Sequence, residues 1–285
     1  MLAGTIWFTY TSFYFASAYN QLTRLPPDDF DEKSLDIAQI YDNTAQGFDD
    51  ETDTIEYWWG IRKLRQKLVM QAKGHVLESA AGTGRNINYY DRSKIKTLLM
   101  ADMSKGMLDI CREKWAETHE KEIKAGRVRF WVGDLERPDV EEHIYPEISG
   151  KKLDDRFDTI VQSMGLCSTK DPEGLLRNLG KLVKDDGRIL LLEHGKSHYD
   201  WLNRLLDQSA LQHANRHGCW WNRDIGDIVQ RSGLEIVKLK RHDLGTTWWV
   251  ELKKKDEVKK PLTMAELRLR RKEQQMNKQW WEIWK

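Results

Sequence analysis

Cysteine is scarce in this chain of 285 residues: Cys111, Cys167 and Cys219 are an odd number, lie far apart and form no C-x-x-C pair. That argues against both a disulfide framework and a structural zinc site, and it points to folding in a reducing or redox-neutral space. Net charge is nearly absent as well. The 46 Lys/Arg and 45 Asp/Glu leave +1, so the overall balance selects no partner. It hides an asymmetry, however: from Lys253 to Lys285 eleven bases face five acids, which leaves the first 252 residues at −5. The tail is basic and the body mildly acidic. Charge is missing altogether from Met1 to Thr23, where seven of the first nineteen residues are aromatic (Trp7, Phe8, Tyr10, Phe13, Tyr14, Phe15, Tyr19). A stretch of about 20 such residues can span a bilayer as a helix. Its Thr and Ser content keeps open a helix lying in the interface or buried against a partner. Ala16-Ser17-Ala18 resembles a peptidase site, but no basic segment precedes it, and residues 1–23 read as a retained single-pass anchor. Its orientation stays open, because Arg24 is the only nearby base and is followed by Asp28, Asp29, Asp31 and Glu32.

Two kinds of glycine loop are excluded by what they lack. The phosphate loop of nucleotide hydrolases needs Gly-Lys-Ser/Thr after its second glycine, where this chain has Gly84-Arg85-Asn86. The dinucleotide pattern needs a third glycine where Ile87 stands. What is there is a short buried strand from His75, ending in an acid at Glu78, then a turn through Gly82 and Gly84 that opens a helix. Glycine lets backbone approach a ligand closely, and free N–H groups at a helix start favour negative charge. Two further apolar runs end in acids: Thr97-Leu98-Leu99-Met100-Ala101-Asp102, and Val128 through Asp134-Leu135. Such runs suit parallel strands covered on both faces. Glu78, Asp102 and Asp134 would then share one edge of a sheet, and the length suits one α/β domain with appendages.

An acid at the end of the first strand, four residues before Gly82 and six before Gly84, resembles motif I of the class I S-adenosylmethionine-dependent methyltransferases, within the UbiE-like or type 11 group. The resemblance implies a seven-stranded Rossmann-like sheet with helices on both faces and an antiparallel last member, spanning residues 55–253. It implies S-adenosyl-L-methionine as cofactor, with Glu78 near its methionine end, Ala80, Gly82 and Gly84 near its sugar and methionine, Asp102 on the ribose, Met103 against the adenine and Asp134 on the adenine amino group. Leu135 and Gln162 complete that set. Ala80 stands where the family has its first glycine, and its methyl group is tolerable only at negative φ. Residues 24–54 form a linker, stiffened at Leu25-Pro26-Pro27-Asp28-Asp29, and a cap. Ile40 to Ala45 and Phe48 to Glu51 resemble the family's segment before motif I, which is helical and covers the cofactor. The block from Leu166-Cys167-Ser168 to Glu193-His194-Gly195, with the N-terminal anchor, resembles small membrane-anchored methyltransferase-like proteins of animals. It is still more similar to fungal mitochondrial inner-membrane proteins of the OMS type, which implies that membrane as the location.

Residues 55–72 read as one helix, with Tyr57, Trp58, Ile61, Leu64 and Leu68 at helical spacing facing the core. Residues 136–156 read as a loop and Phe157 to Ser163 as the fourth strand, at whose end an acceptor sits in this fold. That end lacks the Asn/Asp-Pro-Pro-Tyr motif of amide and adenine N-methylation and the Pro-Cys nucleophile of cytosine-C5 methylation. Cys167 reads as a packed residue. A helix over 175–184, a turn at Asp185-Asp186-Gly187 and a strand over 188–195 follow. His194, His198, His213 and His217 cluster in sequence, and His194, at a strand end, is the candidate catalytic base for a protonated acceptor. Residues 235–242 and 246–253 form a closing hairpin. The extension 254–285 carries a capping box at Thr263 and Glu266 and a helix with Arg268, Arg270, Arg271, Lys272, Trp280, Trp281 and Trp284. Its bland reading is a solvated helix folded back on the body; the sharper one is docking through residues 262–285 on protein, RNA or an anionic membrane.

The leading reading is a membrane-anchored methyltransferase acting on an unidentified small or hydrophobic acceptor. Its alternatives are a methyltransferase-like scaffold or assembly factor of the mitochondrial inner membrane, and an RNA methyltransferase guided by the basic tail.

Overall fold

The computed structural model describes residues 34–148 and 156–255. Seven strands form one sheet in the order β3-β2-β1-β4-β5-β7-β6. They are β1 (Gly74–Ser79), β2 (Ile95–Asp102), β3 (Val128–Val132), β4 (Phe157–Ser163), β5 (Val183–His194), β6 (Glu235–His242) and β7 (Thr247–Lys253). The first five are parallel, and β7 inserts antiparallel between β5 and β6. The helices are α1 (Ile37–Thr44), α2 (Phe48–Trp58), α3 (Ile61–Val69), α4 (Lys105–Lys124), α5 (Val140–Ile148), α6 (Pro172–Leu182), α7 (Asp200–His217) and α8 (Ile225–Ser232).

Successive side chains of a strand point to opposite faces, and the core divides accordingly. Leu77, Leu99, Ile160 and Leu191 pack with α5, α6 and α8 on one face. Val76, Leu98, Met100, Val161 and Leu190 pack with Leu68 of α3 and Leu108, Cys111 and Trp115 of α4 on the other. Burial on both faces is why these strands read as unbroken apolar runs.

Three expectations need correction. The single helix over 55–72 is two helices, broken where Gly60 takes φ +69° in the left-handed region. The face of α2 that meets Arg65 and Arg85 carries Asp49, Asp53 and Glu56, spaced one and two helical turns apart, of which only Glu56 is buried, and Tyr57 and Trp58 are left 66% and 79% exposed. The segment 136–156, read as a loop, contains α5, which Val140 and Ile144 anchor at i,i+4 spacing. The turn at 185–187 lies within β5, whose pairing with β4 skips from Phe157↔Val183 to Thr159↔Arg188 and so accommodates the extra residues as a bulge. No helix among the described residues is long and apolar enough to cross a membrane. The anchor expected over 1–23 and the tail helix expected over 262–285 lie outside them.

Candidate functional site

The carboxyl ends of β1, β2 and β3 are neighbours in the sheet, and each delivers an acid. Glu78 precedes the last residue of β1 and is 2% exposed; one carboxylate oxygen accepts from Asn86 Nδ2 at 2.8 Å and the other from the Tyr90 hydroxyl at 2.6 Å. Burial raises its pKa to about 7 against the opposing pull of those two bonds. Asp102 ends β2, and its two oxygens accept from the backbone N–H groups of Gly82 at 2.7 Å and Ser104 at 2.9 Å. Burial, assisted by the nearby Asp42, raises it to about 6 despite those donors. Asp134 lies two residues past β3, where its carboxylate accepts from Glu136 N at 2.7 Å. Met103 is half-buried beside Asp102.

The turn between β1 and β2 departs from expectation twice. No α-helix follows the glycines. The chain runs through i→i+3 bonds instead (Gly84 N to Ala81 O, Ile87 N to Gly84 O, Tyr89 N to Asn86 O) and forms one 3-10 turn at Ile87–Tyr89. Glu78 draws Asn86 and Tyr90 inward, and these two bonds hold the segment in that short turn. Ala80 stands at φ +54°, inside the left-handed region that its methyl group disfavours by about 1–2 kcal/mol. Its Cβ lies where Gly165 leaves room, since a side chain on Gly165 would come within 2.8 Å of it. Ala80→Gly is therefore expected to raise stability by about 1 kcal/mol, and Gly165→Ala to destabilise the parent protein more than the Ala80→Gly variant. Urea denaturation of the two single variants and the double variant measures that coupling.

A polar network ties this turn to the helices before β1. Arg65 of α3 donates to Glu56 of α2 at 2.5 Å and to Asn86 Oδ1 at 3.1 Å. Arg85 bridges Glu56, Asp53 and Asp49. Asp49 also accepts from Thr83 Oγ1 and pairs with Lys114 of α4. Burial would raise both acids, but Arg65 and Arg85 hold Glu56 below the usual carboxylate range, and Lys114, Thr83 and Arg85 do the same for Asp49. Helix α1 crosses the sheet edge above. Asp42 accepts from Ser104 Oγ at 2.5 Å and Gly106 N at 2.8 Å, and Tyr41 reaches across to Ser168 at 2.8 Å. None of Glu56, Arg65, Arg85 or Lys114 was singled out in the sequence. Their signal is only that acids 49, 53 and 56 share one helix face.

At the ends of β4 and β5 the polar groups bind one another. Gln162 is fully buried, accepts from Ser79 Oγ at 2.9 Å and donates to Glu193 at 3.2 Å, so it joins three strands from within rather than facing the sheet edge. Leu135 likewise points into the core. Glu193, raised to about 7 by burial, also accepts from Gly165 N and Leu166 N, which fastens the loop after β4 onto β5. Cys167 is packed, as read from sequence. His194 ends β5 with Nδ1 3.5 Å from Cys219 Sγ. Burial lowers its pKa to about 4, which keeps the imidazole neutral near pH 7. The other three histidines do not join it at one point. His213 stacks on Trp221 at 3.8 Å beside His217, and His198 packs against Gly245 under the β6–β7 turn.

Residues 59–239 match the methyltransferase domain family. The chain is 41% identical over 227 residues to the mitochondrial methyltransferase OMS1 of Saccharomyces cerevisiae, an alignment covering 79% of this chain and 48% of that protein, so the chain spans about half the length of that relative. It is 28% identical to the ubiquinone/menaquinone biosynthesis C-methyltransferase UbiE of Proteus mirabilis, over 67% of this chain and 71% of that one. The fold is shared with an O-methyltransferase family protein from Burkholderia thailandensis, with a TM-score of 0.55 at 16% identity over 87% of this chain and 71% of that one. A family match over more than half of the chain, on a seven-stranded sheet shared with a solved methyltransferase-family fold, shows that this protein belongs to the methyltransferase domain family.

Proposed function

We propose that the chain moves a methyl group from S-adenosylmethionine to a small or hydrophobic acceptor at the carboxyl edge of its sheet, while tethered to the mitochondrial inner membrane. The observation that carries the donor half is the placement of Glu78, Asp102 and Asp134 at the ends of three adjacent parallel strands. The residues fit such a donor. The space where a Gly82 side chain would stand is open, Asp102 is partly accessible with lone pairs to spare, and Glu78, buried beneath the loop, adds negative charge when ionised, which suits a donor of net positive charge. When bound, the donor supplies an electrophilic methyl on a sulfonium, so the protein's task is to hold both reactants close, aligned and dry. Asp102 would receive the ribose hydroxyls, Asp134 the adenine amino group and Met103 the adenine face. Glu78, Gly82 and Gly84 would hold the methionine end. Ala80 and Leu135 would shape the cradle by packing, and Gln162 would act from behind it through Ser79 and Glu193.

Calorimetric titration of the purified protein with S-adenosylmethionine tests this. Hydrogen bonds to a charged group contribute about 1.5–3 kcal/mol, so Asp102→Ala is expected to weaken binding roughly tenfold to a hundredfold. A wild-type protein that binds no donor would instead be the methyltransferase-like scaffold. The mitochondrial membrane assignment is supported by likeness to a yeast relative named as mitochondrial and by the uncharged aromatic residues 1–23. Fractionation with and without residues 1–23 checks it. For residues 262–285, salt-sensitive RNA retention lost on their deletion would favour methylation of RNA, and loss of a co-purifying protein or of anionic vesicle binding would favour docking.

A further inference from the structure

We propose that Cys167, His194 and Cys219 form a zinc-binding site, a Cys2His set with one coordination position left open. The linear spacing argues against zinc because no two cysteines are close in sequence. Folding brings the three side chains together from the loop after β4, the end of β5 and the segment after α7. Their ligand atoms all lie within 4.8 Å of one another, and Cys219 Sγ is 3.5 Å from His194 Nδ1. A tetrahedral zinc ion with bonds of about 2.0 Å to nitrogen and 2.3 Å to sulfur sets its ligand atoms roughly 3.5–3.8 Å apart. The Cys219–His194 pair already has that separation, and the set as a whole needs to tighten by about an ångström at most. Two thiols and an imidazole exclude magnesium and calcium, which take oxygen, and favour zinc.

The backbone around the three is fixed without help from an ion. Gly165 N and Leu166 N donate to Glu193, the residue before His194. Trp220 N donates to Cys167 O at 2.8 Å, which pins Cys219 beside Cys167. Gly195 N donates to Thr246 O at 2.9 Å, and Arg223 reaches the carbonyl of Leu166. Both thiols are buried and His194 is half-buried. Cys167 Sγ contacts Met164 O and Ser168 Oγ at 3.6 Å each, the weak hydrogen bonds of a thiol, which leave the sulfur without a strong competing partner. Three protein ligands and an open position are the arrangement of catalytic rather than closed structural zinc sites. The site lies at the ends of β4 and β5, on the neighbouring side of the sheet from the acids of β1, β2 and β3 with Tyr41 between them, so zinc content and donor binding are read by separate measurements.

The test is elemental analysis of the full chain purified without chelators, under reducing conditions, from zinc-supplemented medium. About one zinc per chain is expected, falling to about a tenth or less in Cys219→Ser and His194→Asn and retained in Cys111→Ser, whose thiol is carried by α4 into the core between that helix and the sheet. Cobalt exchanged into the wild-type protein is expected to show thiolate-to-metal charge transfer and the visible bands of a tetrahedral ion. This readout does not depend on whether the variants fold. Wild-type protein with no bound zinc and all three thiols titrating as free on unfolding would overturn the proposal, as would a Cys167–Cys219 disulfide found by mass spectrometry in protein handled under reducing conditions. Asp102→Ala is expected to keep its zinc, so failure of the donor reading and failure of the metal site remain distinguishable.

Discussion

Arg65→Ala is expected to lower the stability of the folded protein by about 3–5 kcal/mol, the usual result of removing one partner of a buried ion pair. Arg65 and Glu56 are 5% and 3% exposed, and the pair lies between α2, α3 and the turn after β1. Removing the guanidinium leaves Glu56 to Arg85 alone and strips Asn86 Oδ1 of its donor. Asn86 is also one of the two groups that hold Glu78, so the loss should spread to the turn itself and weaken donor binding along with stability. Urea denaturation gives the first quantity and calorimetry the second. A loss below about 1 kcal/mol would mean that the network is only decorative, as exposed ion pairs usually are. Arg65→Met separates packing from charge, because it keeps much of the side-chain volume and removes every donor.

Glu78→Gln is expected to make the protein less sensitive to alkali. The folded-state pKa of Glu78 is raised to about 7 from an ordinary 4.5, so between those values the folded protein holds a proton that the unfolded chain has lost. Stability from this group is therefore full below about 4.5, declines as pH rises and is lost above about 7. At about 1.4 kcal/mol per pH unit, the cost to the folded state above neutrality is roughly 3 kcal/mol. The amide cannot ionise, so the variant's stability should fall less than the parent's between pH 5 and pH 8, and near pH 8 it should be the more stable of the two. Donor binding should move in the opposite direction. A cationic ligand prefers the carboxylate, so parental affinity should rise with pH through about 7, with proton release on binding, and the amide should abolish that dependence. Identical pH profiles for the two proteins, in stability and in affinity, would remove Glu78 from the account.

The sheet was legible because its inner strands β1, β2, β4 and β5 are buried on both faces, and because the apolar runs of β1, β2 and the edge strand β3 close on Glu78, Asp102 and Asp134. The break at Gly60 was not legible. Tyr57, Trp58, Ile61, Leu64 and Leu68 keep helical spacing across it, and an exposed aromatic pair reads the same as a buried one. Charged residues carry no such signal. Asp49, Asp53, Glu56, Arg65 and Arg85 look like solvated faces along the chain, and only their convergence shows that they bind one another. Ala80 was noticed as an anomaly, but its backbone angle depends on the space beside Gly165, which no local pattern records. Residues 167, 194 and 219 fail every spacing rule for a metal because those rules describe ligands carried on one or two short loops.

Helix α1 spans the edge of the sheet, with Asp42 bonded to the start of α4 and Tyr41 to the loop after β4. If the donor binds beneath this strap, as proposed, a used cofactor departs only when both attachments let go, and the same detachment precedes entry of a fresh molecule. Exchange rather than chemistry would then govern the steady pace of the enzyme. Mixed rapidly with substrate, it should deliver one quick round of product before settling to a slower rhythm, and loosening the strap with Tyr41→Phe should quicken that rhythm while leaving the opening burst intact.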